Sequence, residues 1–386
     1  MGFKGYIRPD GSVGCRNHVA VIPMAGCAAD VARAICPHVE GTRPILHREG
    51  CNTTRDQKLV TDVLTSIGCS GNVGGVLLVA LGCESVEPEI IADEIAKTGR
   101  PVEILKVYKE GGYAKGVEKG ITLAQNIAIK VSKAQREEVD FSKMIIASKC
   151  GASDSTSGLA ANSAIGLVAD RIVDLGGTFL FGETTEMFGA EQFLYERAAN
   201  VNVEADLRKV ITRAEDAFIN AGIDLRGAQP GVANMRGGLT TIEEKAMGSV
   251  AKSGHRTING VLEYPERITT QKGVWFKDTA AREPEQLTGM AASGAQLMLF
   301  STGHGAPQGF PTMPAIKVCG NPINAVYLSG DMDFNAGKII TGECSVEQIA
   351  DEIFEKMIRV LNGEFTKSEV HKYYEAVDIW TRDPIP

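Results

Sequence analysis

Cysteine residues follow several apolar segments of this chain at wide sequence spacing. Cys51, Cys83 and Cys150 each come shortly after a different segment. Thiolates that are far apart in sequence can converge on a soft metal ion or an iron–sulfur cluster. The three cysteines therefore predict an iron site, holding either Fe2+ or a cluster. Each thiol taken singly is more often a buried packing residue, and an oxygen or nitrogen site that uses Asp154 or a histidine is the alternative.

A second set of residues, also near the ends of apolar segments, has side chains that can accept or donate a proton. The set consists of Glu84, Lys149, Glu183, Glu186 and His304. His304 lies between two glycines, a setting that suits a mobile imidazole in acid–base catalysis. The carboxylates have a structural alternative, because acidic residues here also cap helices or complement helix dipoles.

Other residues are candidates for binding an anionic substrate. Arg16 is predicted to bind a carboxylate through its guanidinium fork, with Asn17 as a hydrogen-bonding neighbour. The glycine-containing stretch 237–245 can hold an anion with backbone N–H groups and the hydroxyls of Thr240 and Thr241. A helix start with a threonine cap and a glutamate partner explains the same stretch. Asp154 is a substrate-binding candidate or, equally, a helix cap.

The remaining cysteines of the N-terminal part have a simpler interpretation. Cys15, Cys27 and Cys36 surround a predicted strand, turn and helix. We interpret these three thiols as packing residues, since a free cysteine behaves as a small hydrophobic side chain.

Apolar segments alternate with amphipathic ones, and this order must position the reactive residues. Strands are predicted over 18–24, 43–47, 75–81, 102–107, 143–148, 177–182, 295–301 and 315–319, with 260–278 rich in strand. Helices are predicted over 28–35, 57–67, 87–97, 113–134, 158–175, 186–199, 204–221, 239–252 and 346–362, and 222–237 as a loop. The pattern predicts an α/β fold with two parallel-sheet domains, residues 1–137 and 138–386. Ligands of such sheets bind in loops beyond the carboxyl ends of the strands.

Length and composition limit the function further. The chain has 386 residues, a formal net charge of −8 and no basic block, which argues against a nucleic-acid partner. The sequence start lacks the apolar region of a secretory signal, and no apolar run is long enough to span a membrane. An odd number of cysteines, nine, and the lack of a C-x-x-C pair predict a reducing cytoplasmic location.

At these residues the chain resembles the altronate/galactarate dehydratase family. The motifs that carry the resemblance are GYIRPDGSVGCRNHVAVIP, LGCE, KCGASD, GGTFLFGETTE, GGLTTIEEK and DMDFN, and they extend over residues 5–362. Members of this family are iron(II)-dependent hydro-lyases that remove water from sugar acids. The family also contains a sulfo-lyase that eliminates sulfite from (2R)-sulfolactate.

The resemblance implies β-elimination from a 2-hydroxy carboxylate, most simply dehydration of a sugar acid. Family dehydratases carry a small N-terminal SAF-type domain, and the strand-end motifs here begin at once. The resemblance therefore implies the large subunit of a split enzyme with a small SAF-domain partner, within a homo-oligomer. A non-catalytic binding subunit is the alternative from another class of protein.

Two stretches of the chain depart from the family pattern, and they bear on the identity of the substrate. The stretches GCNTTRDQ and STGHG differ from the sugar-acid enzymes, in which an arginine is usual at the position of His304. Sulfolactate is a small dianion, so additional cations such as Arg55, Lys149 or His304 in the pocket favour it. A sugar acid requires a longer groove that is rich in hydroxyl partners.

Overall fold

The computed structural model describes residues 2–51, 56–269 and 272–382. The strands are β1 (Gly2–Ile7), β2 (Val13–Gly14), β3 (His18–Pro23), β4 (Thr42–Pro44), β5 (Val73–Ala80), β6 (Val102–Lys106), β7 (Glu137–Asp140), β8 (Ile145–Gly151), β9 (Thr178–Phe181), β10 (Ile258–Leu262), β11 (Gly273–Lys277), β12 (Leu297–Thr302), β13 (Ala315–Cys319) and β14 (Phe334–Asn335). The helices are α1 (Ala29–Ile35), α2 (Gln57–Gly68), α3 (Pro88–Ala96), α4 (Tyr113–Val131), α5 (Ser163–Asp174), α6 (Glu191–Tyr195), α7 (Val201–Asn220), α8 (Leu225–Ala228), α9 (Val232–Arg236), α10 (Ile242–Ala251), α11 (Glu283–Ala292), α12 (Pro322–Tyr327), α13 (Val346–Leu361) and α14 (Lys367–Val370). A π-helix over Ser157–Asn162 leads directly into α5.

Two parallel sheets form the framework of the molecule. The smaller has the strand order β4-β3-β5-β6 and the larger the order β10-β11-β9-β8-β12-β13-β14. All eight residues of β5 are buried, because helices cover both faces of its sheet. The predicted α/β fold class is therefore confirmed.

The two parallel sheets share one apolar core. A single buried cluster contains Ile22 and Leu78 of the smaller sheet together with Met298 and Phe300 of the larger. Helices α2 and α11 pack against each other within this cluster. Burial of a common core holds the two sheets in a fixed relation.

A small antiparallel sheet ties the start of the chain to the stretch between the two parallel sheets. Its strand order is β2-β1-β7, and Phe3 of β1 pairs with Val139 of β7. The polar residues on either side of the predicted domain division thus form β7. The division between residues 137 and 138 stays a prediction.

Further differences from the predicted elements concern the stretch 222–237 and helix α11. The stretch 222–237, predicted as a loop, contains the short helices α8 and α9. Helix α11 was not predicted because its sequence lacks a strong apolar period and it is buried on most sides. Among the described helices, none has the length and apolar character that crossing a membrane requires.

Candidate active site

A buried group of charges lies at the carboxyl end of the larger sheet. Glu183, which follows β9, accepts hydrogen bonds from Lys149 of β8 (Nζ to Oε1, 2.8 Å) and from Lys252 at the end of α10 (Nζ to Oε2, 2.5 Å). The side chains of all three residues are at most 1% exposed. We call this group the buried ion triad. It contains two ammonium groups and one carboxylate.

The triad fixes the protonation state of its carboxylate. Burial alone would raise the pKa of Glu183, but the charges and hydrogen bonds of Lys149 and Lys252 lower it below its usual range. Burial would likewise lower the pKa of the Lys149 ammonium, yet the charge of Glu183 raises it. Glu183 is therefore a permanent carboxylate near neutral pH and not a proton carrier.

Glu183 also positions the loop that leaves β8. Its Oε2 atom accepts a hydrogen bond from the backbone N–H of Cys150 at 3.1 Å. Its own backbone is left-handed, with φ of 69°, a conformation that a residue other than glycine adopts at a cost. The carboxylate is thus held where it joins β8, β9 and the end of α10.

Asp154 organises the start of the helix that follows β8. Its Oδ1 atom accepts hydrogen bonds from the Thr156 hydroxyl (2.6 Å) and the Ser157 backbone N–H (2.8 Å), and its Oδ2 atom accepts one from Asn321 (3.3 Å). The residue is 2% exposed. These contacts are those of a helix cap, the alternative interpretation of Asp154 from the sequence.

A groove of about 260 Å³ lies between this loop and helix α10. Its polar lining residues include Cys150, Ser153, Asp154, Ser155, Ser157, Asn162, Ser163, Glu244, Lys245 and Ser249. Lys245 forms an ion pair with Glu186 (Nζ to Oε1, 3.1 Å) and is mostly buried. The hydroxyls of Ser155, Ser157 and Ser163 donate to backbone carbonyl oxygens, so the groove offers hydroxyl oxygens as acceptors beside one lysine, which suits a polyhydroxylated carboxylate.

His304 lies beside Asp154 but faces solvent. Gly237 lies between the two side chains. A Cβ atom added there would be 2.5 Å from Asp154 Cβ and 2.9 Å from His304 Nε2. The imidazole Nε2 is 3.2 Å from the Ala233 carbonyl oxygen, and the side chain is exposed. The structure thus brings His304 next to the groove residue Asp154.

Thr240 and Thr241 act as helix-capping residues in the structure. The Thr241 hydroxyl accepts the backbone N–H of Glu244 (3.2 Å), and both the N–H and the hydroxyl of Thr240 donate to the Glu244 carboxylate (2.8 Å each). Both donors of Thr240 are occupied and the Thr241 hydroxyl caps the helix, which supports the capping alternative over anion binding. Glu244 itself lines the groove.

Arg16 and Asn17 lie inside the scaffold, away from the groove. The Arg16 guanidinium forms a two-pronged ion pair with Glu369 (2.7 and 2.9 Å) and donates to the carbonyl oxygens of Val360 and Glu364. Asn17 accepts a hydrogen bond from Arg8 and donates to the Val131 carbonyl oxygen. The predicted carboxylate fork is therefore corrected to a structural ion pair, since internal partners occupy its donors.

The Arg16→Lys variant tests this corrected role. Lysine keeps the charge but loses the fork, so we expect the free energy of unfolding to fall by about 2 kcal/mol. The kcat/KM of the folded variant should stay within about twofold of the wild-type value. Urea unfolding and initial rates measure the two quantities. A large rise in KM with unchanged stability would contradict the structural role.

The predicted metal ligands do not come together. Cys150 lines the groove, whereas Cys51 and Cys83 lie in exposed loops of the smaller sheet. Across residues 2–51, 56–269 and 272–382, no group of three or more histidine, cysteine, aspartate or glutamate side chains is placed to hold a metal ion. The predicted set thus does not fit an iron site, and we derive no catalytic step through iron. Arg55 lies outside the described residues.

The structure places two further predicted residues, Glu84 and Cys27, in loops of the smaller sheet. The Glu84 carboxylate accepts hydrogen bonds from the backbone N–H groups of Leu81 (3.1 Å), Gly82 (2.8 Å) and Cys83 (3.2 Å), so it holds its own loop together. These contacts give Glu84 a structural role through its Oε2 atom, and its role in proton transfer stays a prediction. Cys27, interpreted as a packing residue, is exposed and lines the same cavity as Cys51.

Sequence reasoning missed several residues at this end of the sheet. Lys252 and Lys245 were part of a predicted helix, and Asn162 had no motif to mark it. Lys317 is fully buried in β13, with Nζ 3.2 Å from the centroid of the Phe300 ring, and burial lowers its pKa to about 7. A lysine inside the apolar run AIKVC was the available signal for it.

Comparison with known proteins places these features in a family. Residues 5–132 match the model of the D-galactarate dehydratase/altronate hydrolase second domain, and residues 141–384 match that of the D-galactarate/altronate dehydratase C-terminal domain. The chain is 34% identical over 379 residues to (2R)-sulfolactate sulfo-lyase subunit beta of Chromohalobacter salexigens, covering 97% of this chain and 96% of that protein. It is 32% identical to the galactarate dehydratase (L-threo-forming) of Escherichia coli, covering 94% of this chain and 73% of that protein. It is 30% identical to the altronate dehydratase of Bacillus subtilis, covering 97% and 76% of the two chains. The chain therefore belongs to the galactarate/altronate dehydratase family of lyases.

Proposed function

We propose that this protein catalyses β-elimination from a 2-hydroxy carboxylate and that its reaction is the dehydration of a sugar acid. The observation that carries the proposal is the groove beside α10, in which serine hydroxyls and Asn162 surround a volume of about 260 Å³ next to Lys245. A polyhydroxylated acid needs this combination of hydroxyl partners and one cation.

In this proposal Lys245 binds the substrate carboxylate. Removal of the proton from the adjacent carbon leaves an electron pair that forms the carbon–carbon double bond. The bond to the neighbouring hydroxyl breaks, and the departing hydroxide takes up a proton and leaves as water. The product is an enol that rearranges to a 2-keto acid.

In this proposal the buried ion triad stabilises the developing negative charge, and two other side chains carry out the proton transfers. The buried ion triad has an excess of one positive charge and lies directly behind Cys150, so it favours an anionic intermediate in the groove. We assign the proton transfers to Glu186, which pairs with the groove residue Lys245, and to His304, which lies beside Asp154. Lys149 stays charged within the triad and acts through its field.

A second candidate is sulfite elimination from (2R)-sulfolactate. The similarity to the sulfo-lyase subunit beta extends over 96% of that protein, and this observation favours the candidate. The same elimination applies, with the carbon–sulfur bond breaking instead. Sulfite is a good leaving group, so it needs a cationic surface more than a general acid.

The test is product analysis of the purified protein with altronate, galactarate and (2R)-sulfolactate. A 2-keto-3-deoxy acid from either sugar acid supports dehydration, and sulfite with pyruvate supports the second candidate. The assay includes iron(II) and a co-expressed small SAF-domain subunit, because we propose that such a subunit completes the enzyme. Absence of both kinds of product under these conditions contradicts the proposed function.

We also propose a cytoplasmic homo-oligomer that uses iron bound outside the predicted set of Cys51, Cys83 and Cys150, because that set does not form an iron site. All nine cysteines, each within the described residues, are free thiols, which fits a reducing compartment. Iron and acid-labile sulfide analysis of anaerobically purified protein distinguishes Fe2+ from an iron–sulfur cluster. Absence of iron from active protein contradicts this part of the proposal.

The Lys245→Met variant tests the carboxylate-binding role. We expect KM to rise about 10- to 100-fold, which matches the 1.5–3 kcal/mol that a hydrogen bond to a charged group contributes. Initial-rate measurements over a range of substrate concentrations give the value. Lys209→Met, on the exposed face of α7, is the matched control and should leave KM unchanged. Equal effects of both variants would contradict the assignment.

A further inference from the structure

A second cavity lies between the two parallel sheets, and none of the described residues that line it also lines the groove. We call it the inter-sheet cleft. It has a volume of about 700 Å³ and is lined by the loops after β3 and β4, the start of α11 and residues 375–378. The residues that matter for its chemistry are His47, Arg48, Arg282, Glu375 and Asp378.

The position of the cleft in the smaller sheet is that of a ligand site. The chain runs from β3 to β4 on one side and then returns to β5 on the other side of β3. Such a change of direction opens a crevice at the carboxyl end of the central strand, and ligands of parallel sheets bind there. Gly26 and Cys27, which follow β3, line the cleft.

His47 presents an unsatisfied hydrogen-bond acceptor. The residue is 2% exposed, and its Nε2 atom lies 2.7 Å from the Pro23 carbonyl oxygen, so Nε2 carries the proton and donates it. Burial lowers its pKa to about 4, which leaves Nδ1 unprotonated near neutral pH. Within the described part of the chain, Nδ1 is buried and no partner meets it in hydrogen-bond geometry, although the Glu49 backbone lies near the ring. A ligand hydroxyl would satisfy it.

The charges around the cleft select the kind of anion. Arg282 is paired with Asp378 at 3.0 Å, and Arg33 lies 3.7 Å from Glu375. Arg48 is exposed and forms no hydrogen bond or close ion pair with any residue that the structure describes, although its charge lies near enough to Asp378 to counteract the rise that burial causes in the pKa of that carboxyl. One guanidinium is thus available for a carboxylate, while the nearby acidic side chains repel a second negative charge.

We propose that the inter-sheet cleft is a second binding site, separate from the groove, for a small hydroxy monocarboxylate. Its hydroxyl donates to Nδ1 of His47, and its carboxylate pairs with Arg48. The remaining hydroxyl groups of such a ligand reach the carboxylates that line the cleft. The site goes beyond the proposed catalytic function, because it involves none of the groove residues.

Isothermal titration calorimetry of the full chain with D-gluconate tests the proposal. We expect the Arg48→Met variant to weaken binding in the cleft at least tenfold, and the Lys245→Met variant to leave that binding intact. Arg359→Met, at an exposed position of α13, is the matched charge control. Propionate, which lacks hydroxyl groups, should bind at least tenfold more weakly than gluconate.

A second measurement reports on His47 directly. The ¹⁵N chemical shift of its Nδ1 should change on addition of gluconate, and the change should be absent in Arg48→Met at the same concentration. The proposal is overturned if gluconate binding is unaffected by Arg48→Met or if the Nδ1 signal does not respond. Both measurements are independent of turnover, so their failure leaves the groove and its proposed reaction untouched.

Discussion

Replacing Glu183 by glutamine is expected to lower the free energy of unfolding by about 3–5 kcal/mol. The substitution keeps the shape of the side chain but leaves the ammonium groups of Lys149 and Lys252 buried without a countercharge. A buried charge without a partner is among the most destabilising single changes in a protein. Urea unfolding followed by circular dichroism measures the loss.

Two further variants show whether the charge of the triad is responsible. Lys252→Met leaves a neutral pair of Lys149 and Glu183, so it should cost clearly less than Glu183→Gln. Asp62→Asn breaks an exposed ion pair with Lys58 on α2 and should cost less than about 1 kcal/mol. A loss below about 1 kcal/mol for Glu183→Gln would show that the buried carboxylate is not the anchor of this region.

The pH dependence of stability gives an independent check on Glu183. Its pKa in the folded protein lies below the value in the unfolded chain, which is about 4.3. The stabilisation is therefore fully present above that unfolded value and is lost as the pH falls through the folded pKa. The stability difference between wild type and Glu183→Gln should thus shrink in acid, and a difference that grows below about pH 4 would contradict this linkage.

The strands of the parallel sheets were predictable because burial on both faces requires a continuous run of apolar residues. The apolar run that forms β5 has helices on both faces of its sheet, and the sequence shows this as an uninterrupted series of apolar residues. Strand β7 was not predictable in this way. Its sequence EEVD is polar, and it is a strand only because β1, more than a hundred residues earlier, supplies its hydrogen-bond partners.

The candidate site was predictable in its location but not in its roles. Parallel strands deliver their carboxyl ends to one edge, so Lys149, Cys150 and Glu183 meet as expected. The sequence does not show which face of a strand a side chain takes or which backbone groups it satisfies. Glu84 and Arg16 resemble site residues by type, yet internal hydrogen bonds occupy Glu84 Oε2 and the Arg16 guanidinium.

The Gly303→Ala variant is expected to lower kcat/KM by about 100-fold or more. Gly303 follows β12 and precedes His304, and a Cβ atom there would lie 2.0 Å from Cγ and Oδ1 of Asp154. The Asp154 side chain must then leave its capping position, and the groove wall that it organises moves with it. A displacement of about 1 Å near reacting groups can cost about 100-fold in rate.

The control and the mechanism of this effect can both be tested. Gly330→Ala has no heavy atom within 4 Å of the added methyl group and should change neither kcat/KM nor stability. If the Gly303 effect acts through Asp154, the double variant Gly303→Ala/Asp154→Ala should be no worse than Asp154→Ala alone, because the clash partner is gone. Additive losses would show that the Gly303 effect does not act through Asp154, and an unchanged kcat/KM in Gly303→Ala would show that the loop after β8 is not part of the active site. The non-additive result would instead establish that the position of Asp154, held by the packing of Gly303, sets the geometry in which the elimination occurs.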